Sequence, residues 1–161
     1  METWVLVADS GRARIFAVDN TQKQQQGSLY APSENGALRG VLTEVIDREN
    51  PFARIPERNL ASDEPGVQKE SAEQHVHAVG RNEEPKKTEA ERFAREVAAE
   101  LEQGLKAGRF SRMYVIAPDH FLGYLRDVFS DHVKKTVQAE QDKDLTRMSP
   151  QEIRSHLPAK L

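Results

Sequence analysis

Cysteine is absent from this chain of 161 residues. Without a thiol, the protein contains no disulfide framework, no thiolate metal site and no cysteine nucleophile. A chain that needs no disulfides fits a reducing compartment. We therefore expect a cytoplasmic protein.

Long apolar segments are missing as well. The amino terminus contains Glu2 and leads straight into a β-rich run, without the cationic stretch and apolar core of a signal peptide. No run approaches the roughly 20 apolar residues that cross a bilayer. We therefore expect neither a leader nor a membrane span.

A strong charge of either sign is also lacking, since the formal net charge is −3. This value argues against a protein that coats nucleic acid through bulk attraction. The charge is nevertheless uneven. Residues 63–102 carry eleven acidic and six basic side chains, whereas residues 103–161 carry seven acidic and ten basic ones. A local basic face is one interpretation, and solvated helix surfaces are the other.

The clearest pattern in the chain begins at Thr88. Apolar side chains recur there at steps of three and four, which predicts a long amphipathic helix. Thr88 and Glu91 have the spacing of a capping box at its start, and Gly104 and Gly108 predict its end. A short buried strand follows at 113–117. The predicted apolar stripe consists of Ala90, Phe93, Ala94, Val97, Leu101 and Leu105.

Three β-rich runs precede this helix, at 4–8, 13–18 and 41–46. A turn signal separates the first two runs, which predicts an antiparallel hairpin. The third run is less regular because Glu44 interrupts its alternation. Three successive strands of this kind predict the antiparallel part of a sheet.

The remaining pattern predicts a second helix capped by Asp119, an edge strand at 134–141, and a last helix opened by a capping box of Ser149 and Glu152. The whole order is three strands, then helix, strand, helix, strand and helix. It predicts an α/β fold with a mixed five-stranded sheet covered by helices. A chain of this length suits one domain, which we expect to span residues 1–161.

Periodicity fails from about residue 48 to residue 87. Prolines and glycines break this stretch, and charged residues fill the gaps between them. A compact domain rarely contains so long an unpatterned loop unless the loop is disordered or functional. We expect the special activity of the protein to lie in this loop.

Several short segments are distinctive through their order and spacing. They read WVLVAD at 4–9, RARIF at 12–16, NLASDEPG at 59–66, ERFARE at 91–96, FLGYLR at 121–126 and DKDLT at 142–146. Together they resemble the bacterial host attachment protein family, and the resemblance covers nearly the whole chain.

That family is similar to the middle domain of archaeal and eukaryotic peptide-chain release factors and to the ribosome-rescue protein Pelota. The resemblance implies a ribonuclease-H-like fold, which agrees with the predicted order of elements. Release factors carry a Gly-Gly-Gln loop that triggers hydrolysis of peptidyl-tRNA, whereas the matching loop here contains Gly66, Val67 and Gln68. Without paired glycines the backbone loses the freedom to present the glutamine, so we expect no hydrolytic activity.

The leading hypothesis is a non-catalytic, release-factor-like module that binds tRNA, other RNA or the ribosome in translation. Guanidinium groups near the amino end of a helix can hold phosphate, and Phe52 among them can stack on a base. The alternative is that these arginines pair with glutamates on the surface. The RNA-binding candidates are Arg48, Arg54, Arg58, Gln68, Lys69, His77, Arg92 and Arg95.

Two other function classes remain open. The first is a protein-interaction module that affects host or surface attachment and binds a protein partner through Phe52, Ile55 and Leu60. The second is a nuclease or hydrolase, in which carboxylates would converge on metal ions. The pair His75 and His77 lacks a clear third ligand, so we expect no metal and no cofactor. The carboxylate candidates are Asp9, Glu96, Glu100, Asp119, Asp142 and Asp144, and most of them also have a local structural explanation.

Overall fold

A computed structural model describes residues 2–19, 40–54 and 84–161. Within these ranges the strands form one five-stranded mixed sheet, which confirms the predicted sheet. The strands are β1 (Glu2–Ala8), β2 (Arg12–Asp19), β3 (Val41–Glu49), β4 (Phe110–Ala117) and β5 (Val137–Asp142). Their spatial order is β3-β2-β1-β4-β5. The first three pair antiparallel, whereas β4 runs parallel to β1 and β5 parallel to β4.

Helices cover both faces of this sheet. On one face lie α1 (Glu84–Lys106), α2 (Asp119–Val128) and α3 (Asp131–Thr136). On the other face lies the short α4 (Pro150–Ser155), together with the residues that follow it. A single turn of 3-10 helix, Pro51–Arg54, follows β3.

The central strand β1 is buried on both of its sides. Trp4 and Leu6 belong to the core under α1, and Val5 and Val7 belong to the core under α4. Successive side chains of a strand point to opposite faces, so one apolar run supplies both cores. This is why the run at 4–8 is continuous rather than alternating.

α1 begins at Glu84, four residues before the predicted start. The predicted capping box of Thr88 and Glu91 is wrong, because Thr88 lies inside the helix. Pro85 occupies the first turn instead, where the missing backbone N–H has no partner to lose. The predicted stripe is confirmed: Ala90, Phe93, Ala94, Val97 and Leu101 are buried, and Leu105 packs against the same core.

The two glycines near the end of α1 have different roles. Gly108 has a φ of +70° and lies just past the helix, as predicted for a stop. Gly104 lies inside the helix and faces the Trp4 ring, so its predicted role in ending the helix is wrong. The Trp4 ring stacks on Phe110 with 4.5 Å between ring centroids, and the Arg109 guanidinium lies over its indole at 5.2 Å.

β3 contains an irregularity that the sequence alternation does not show. Ile46 pairs with Ile15 and Glu44 pairs with Phe16, so Val45 is an extra residue, a β-bulge. The bulge puts Leu42 in the core under α4 and Ile46 against the core under α1, although a spacing of four in a regular strand would put both on one face.

The segment after β4 differs from the prediction in two respects. The predicted cap at Asp119 is wrong, because Pro118 is the N-cap of α2 and Asp119 lies in its first turn. The predicted strand at 134–141 is a strand only from Val137, because residues 131–136 form α3. Ser130 caps α3 by accepting a hydrogen bond from the Val133 backbone N–H at 3.2 Å. Further on, the capping box of Ser149 and Glu152 at the start of α4 is confirmed.

The predicted loop of residues 48–87 is shorter at both ends. Residues 48 and 49 belong to β3, residues 51–54 form the 3-10 helix, and residues 84–87 belong to α1. Residues 55–83 lie outside the described residues.

Gly104→Ala is expected to destabilise the fold by about 1–3 kcal/mol, measured as a lower urea or thermal unfolding midpoint. A Cβ at Gly104 would lie 2.6 Å from Cη2 of Trp4, whose ring is buried against Phe110 and has little room to move. This overpacking acts against the ~1 kcal/mol by which alanine favours a helix over glycine.

Gly123→Ala in α2 is the matched control, because a Cβ there would meet nothing within 4 Å. We expect Gly123→Ala to leave stability unchanged or raise it by up to about 1 kcal/mol. Equal effects of the two substitutions would contradict the proposed contact between Gly104 and Trp4.

Candidate functional site

A buried asparagine fixes the backbone where β3 ends. The Asn50 backbone N–H donates to the Gly11 carbonyl at 2.8 Å, and Asn50 Nδ2 donates to the Ser10 carbonyl at 3.0 Å. Asn50 Oδ1 accepts from the Phe52 backbone N–H at 3.2 Å. Because Asn50 is only 3% exposed, these bonds hold the 3-10 helix firmly against the turn between β1 and β2.

Arg48 joins β3 to the polar side of α1. Its Nη1 lies 3.5 Å from Glu96 Oε2, and its Nη2 lies 2.5 Å from Glu100 Oε1. Arg48 was predicted to lie in a loop that binds RNA. It lies in a strand instead, and its guanidinium already has two carboxylate partners.

Arg92 links the first half of α1 to the 3-10 helix. Its guanidinium pairs with Glu89 at 2.8 Å and with Glu96, and it donates to Asn50 Oδ1 at 3.3 Å. The hydrogen bond with Glu89 is the largest of the effects that raise the pKa of Arg92 above its ordinary value. The same guanidinium lies over the Phe52 ring, 5.0 Å from its centroid, in the geometry of a cation–π contact.

This cluster of charged side chains has no excess of positive charge. The two guanidinium groups of Arg48 and Arg92 meet three carboxylates, those of Glu89, Glu96 and Glu100. An incoming phosphate would have to displace carboxylates that are already in place. The arrangement therefore holds α1 on β3 and keeps the Phe52 ring at the surface.

The remaining predicted RNA-binding residues divide into two groups. Arg95 is exposed on α1 and makes no ion pair with the described residues. The backbone of Arg54 ends the 3-10 helix. Arg58, Gln68, Lys69 and His77 lie outside the described residues, as do His75, Ile55 and Leu60. RNA contact at these positions stays a prediction.

A second group of polar side chains lies where β1 ends. Asp9 Oδ1 accepts from the backbone N–H groups of Gly11 and Arg12, both at 2.8 Å. The buried Thr146 hydroxyl lies 3.1 Å from Asp9 Oδ2 and 2.7 Å from Asp144 Oδ1. Asp9 therefore has the turn-forming role that is common for aspartate, and Thr146 joins it to Asp144.

The structure does not assemble the other carboxylates of the nuclease hypothesis. Glu96 and Glu100 pair with Arg48, Asp119 lies in the first turn of α2, and Asp142 ends β5. Across residues 2–19, 40–54 and 84–161, no three acidic or histidine side chains are placed to hold a metal ion.

Two arginines of β2 form contacts that sequence reasoning missed. The Arg14 side chain is buried, pairs with Glu44 at 2.8 Å, and donates to the Met148 carbonyl at 2.6 Å. Arg12 makes two hydrogen bonds to Asp47, at 2.8 and 2.6 Å. The signal for both was the period of two along the strand, which puts Arg12 and Arg14 on the same face as the apolar Phe16 and Val18.

The Arg12–Asp47 pair predicts a pH-dependent effect of Asp47→Asn. The hydrogen bond from Arg12 lowers the pKa of Asp47 below its ordinary 3.8. The stabilisation is therefore complete above that ordinary value and is lost as the pH falls through the lowered pKa. We expect the variant to be less stable by up to about 1 kcal/mol at neutral pH and to match the wild type in strong acid.

Chemical denaturation at a series of pH values measures this difference. Asp127→Asn is the control, since Asp127 is an exposed carboxylate of α2 without an ion-pair partner in the described part of the chain. A pH-independent difference between Asp47→Asn and the wild type would contradict the role of the charge.

The comparisons with known proteins give one family. None of the described helices is long and apolar enough to cross a membrane. A search of curated proteins gives no match. The family model described as "Protein required for attachment to host cells" matches residues 4–157, nearly the whole chain. The chain therefore belongs to the family of proteins required for attachment to host cells.

Proposed function

We propose that this member of the attachment family is a non-catalytic binding module and that its partner is a protein. The contact surface is formed by Phe52, Arg92 and Arg95, and we call it the Phe52 surface. The observation that carries the proposal is the Phe52 side chain, a large aromatic ring that is 41% exposed on a rigid support.

The Phe52 surface has the chemistry of a protein-binding hot spot. Aromatic and arginine side chains dominate the binding energy of many interfaces when they are packed and partly desolvated. Arg92 supports the Phe52 ring, and Asn50 fixes the Phe52 backbone through its N–H. Because the Phe52 ring is already held in place, less conformational entropy is lost when a partner binds.

The charges around this surface favour a protein over a phosphate-rich ligand. Arg48 and Arg92 already share three carboxylates, so the approach of a polyanion would leave some of these groups without their partners. A protein interface tolerates a matched charge network at its rim, where such pairs affect specificity more than affinity. The family description fits this reading, because attachment to a host cell requires contact between macromolecules.

The fold is also part of the proposal. We infer that the whole chain is a single domain of the ribonuclease-H-like class, similar to the middle domain of release factors. The strand order 3-2-1-4-5, with three antiparallel strands followed by two parallel ones, supports the fold class. No activity follows from fold alone, so function rests on the surface chemistry.

RNA or the ribosome is the second candidate partner of the same surface. Arg95 supports it, because this guanidinium is exposed at the middle of α1 and has no carboxylate partner among the described residues. The resemblance of the sequence to release-factor domains supports a role in translation for this candidate.

Phe52→Ala is expected to weaken partner capture by about tenfold, the loss of roughly 1.4 kcal/mol that is common for an interface aromatic. The tagged protein is incubated with extract of its own cells, untreated or treated with nuclease, at 0.1 and 0.5 M salt, and bound proteins are quantified. A protein partner held mainly by apolar contact stays bound at both salt concentrations.

Met148→Ala is the matched control, since Met148 is exposed to a similar degree, 37%, on another part of the surface. Equal capture by Phe52→Ala and Met148→Ala would contradict the Phe52 surface. Capture that disappears after nuclease treatment or at high salt, and that Arg95→Glu abolishes, would favour the RNA candidate instead.

A further inference from the structure

A shallow groove lies at the opposite end of α1 from the Phe52 surface. The last two turns of α1 form one wall, and α3 forms the other. Glu102, Leu105, Lys106, His132 and Lys135 line it. Leu105 packs partly into the core and supplies an apolar floor, whereas the cationic side chains are exposed.

The single carboxylate of the groove is already engaged. Glu102 Oε2 accepts a hydrogen bond from the Ser130 hydroxyl at 2.6 Å, and Lys106 Nζ lies 3.6 Å from Glu102 Oε1. The bond from Ser130 is the main cause that lowers the pKa of Glu102. Glu102 also attracts His132, so its carboxylate stays charged and engaged. Lys135 faces the groove without an ion-pair partner among the described residues.

The cationic side chains at this end of α1 outnumber the nearby negative charges. Exposed Arg109 and Lys134 adjoin the groove in sequence, so with Lys106 and Lys135 there are four full cations. Glu102 and Asp131 offset two of them, and the carboxyl ends of α1 and α3 contribute about half a negative charge each. An excess of about one positive charge remains before His132 is counted, whereas residues 84–100 at the other end carry five acidic and four basic side chains.

We propose that this groove binds the phosphate backbone of a single-stranded nucleic acid. Cations on two walls can follow consecutive phosphates, and the groove lining contains no Phe, Tyr or Trp ring on which successive bases could stack. Binding is therefore independent of base sequence and depends steeply on salt. The inference goes beyond the proposed function, because both the surface and the ligand differ from those of the Phe52 surface.

An anionic membrane is a poorer fit for the same charges. Proteins that lie on a bilayer insert apolar side chains beside their basic ones. Among the described residues, the exposed large hydrophobic side chains are Val41, Val45, Phe52 and Met148, and none of them is at this end of α1.

The test is fluorescence anisotropy of a labelled twelve-nucleotide oligouridylate with the full chain at salt concentrations from 20 to 300 mM. Contact with three phosphates predicts a slope of about −2 for log K against log salt. Lys135→Glu is expected to weaken binding at low salt by about tenfold and to make the slope shallower by about 0.7, the share of one phosphate.

Lys87→Glu is the matched control, because it makes the same charge change at an exposed lysine in the first half of α1. It should change the affinity by less than about twofold. Lys135→Gln, a milder change, separates lost contact from introduced repulsion, and far-UV circular dichroism checks that each variant folds.

Equal weakening by Lys135→Glu and Lys87→Glu would contradict binding in the groove and would indicate general electrostatic attraction instead. The absence of oligouridylate binding at 20 mM salt would overturn it as well, as would tighter binding to anionic lipid vesicles than to the oligonucleotide. Phe52→Ala should leave oligouridylate binding unchanged, so this proposal and the protein-partner proposal fail independently.

Discussion

A tryptophan ring on β1 and a glycine on α1 set the distance between the long helix and the sheet. The Trp4 ring is buried against Phe110 and occupies the space where any larger residue at Gly104 would place its Cβ. Because protein interiors are close-packed, this one contact defines how α1 lies along the sheet. The position of α1 in turn determines where its two ends present their charged side chains.

Two parts of α1 use arginine and lysine in different ways. Along its middle turns, Arg48 and Arg92 form a network with glutamates and hold the Phe52 ring in place. At its carboxyl end, Lys135 and His132 face an open groove. What distinguishes a structural cluster from a candidate anion site is therefore whether its basic side chains pair with carboxylates, not how many there are. These ion pairs join residues far apart in sequence, so composition does not reveal them.

Several patterns confined to one element were predictable from the sequence, although the capping box predicted at Thr88 was not one of them. The stripe of α1, the buried run of β1 and the capping box of Ser149 and Glu152 depend on residues a few positions apart, and all three are confirmed. The carboxylate partners of Arg48 lie about fifty residues away, so local reasoning placed this arginine in a loop. The bulge of β3 was hidden because it exists only relative to β2. The Phe52 surface was partly foreseen, whereas the groove at the other end of α1 needed the packing of α3.

The extra residue in β3 has a consequence for how these molecules meet one another. β3 is the outermost strand on its side of the described sheet, and an outermost strand offers unpaired backbone groups to neighbouring molecules. At Val45 the spacing of those groups is interrupted, so an added strand would lose its register after a few residues. The extra residue Val45, which lets β3 contribute side chains to both cores, thus also discourages growth of the sheet into fibrils.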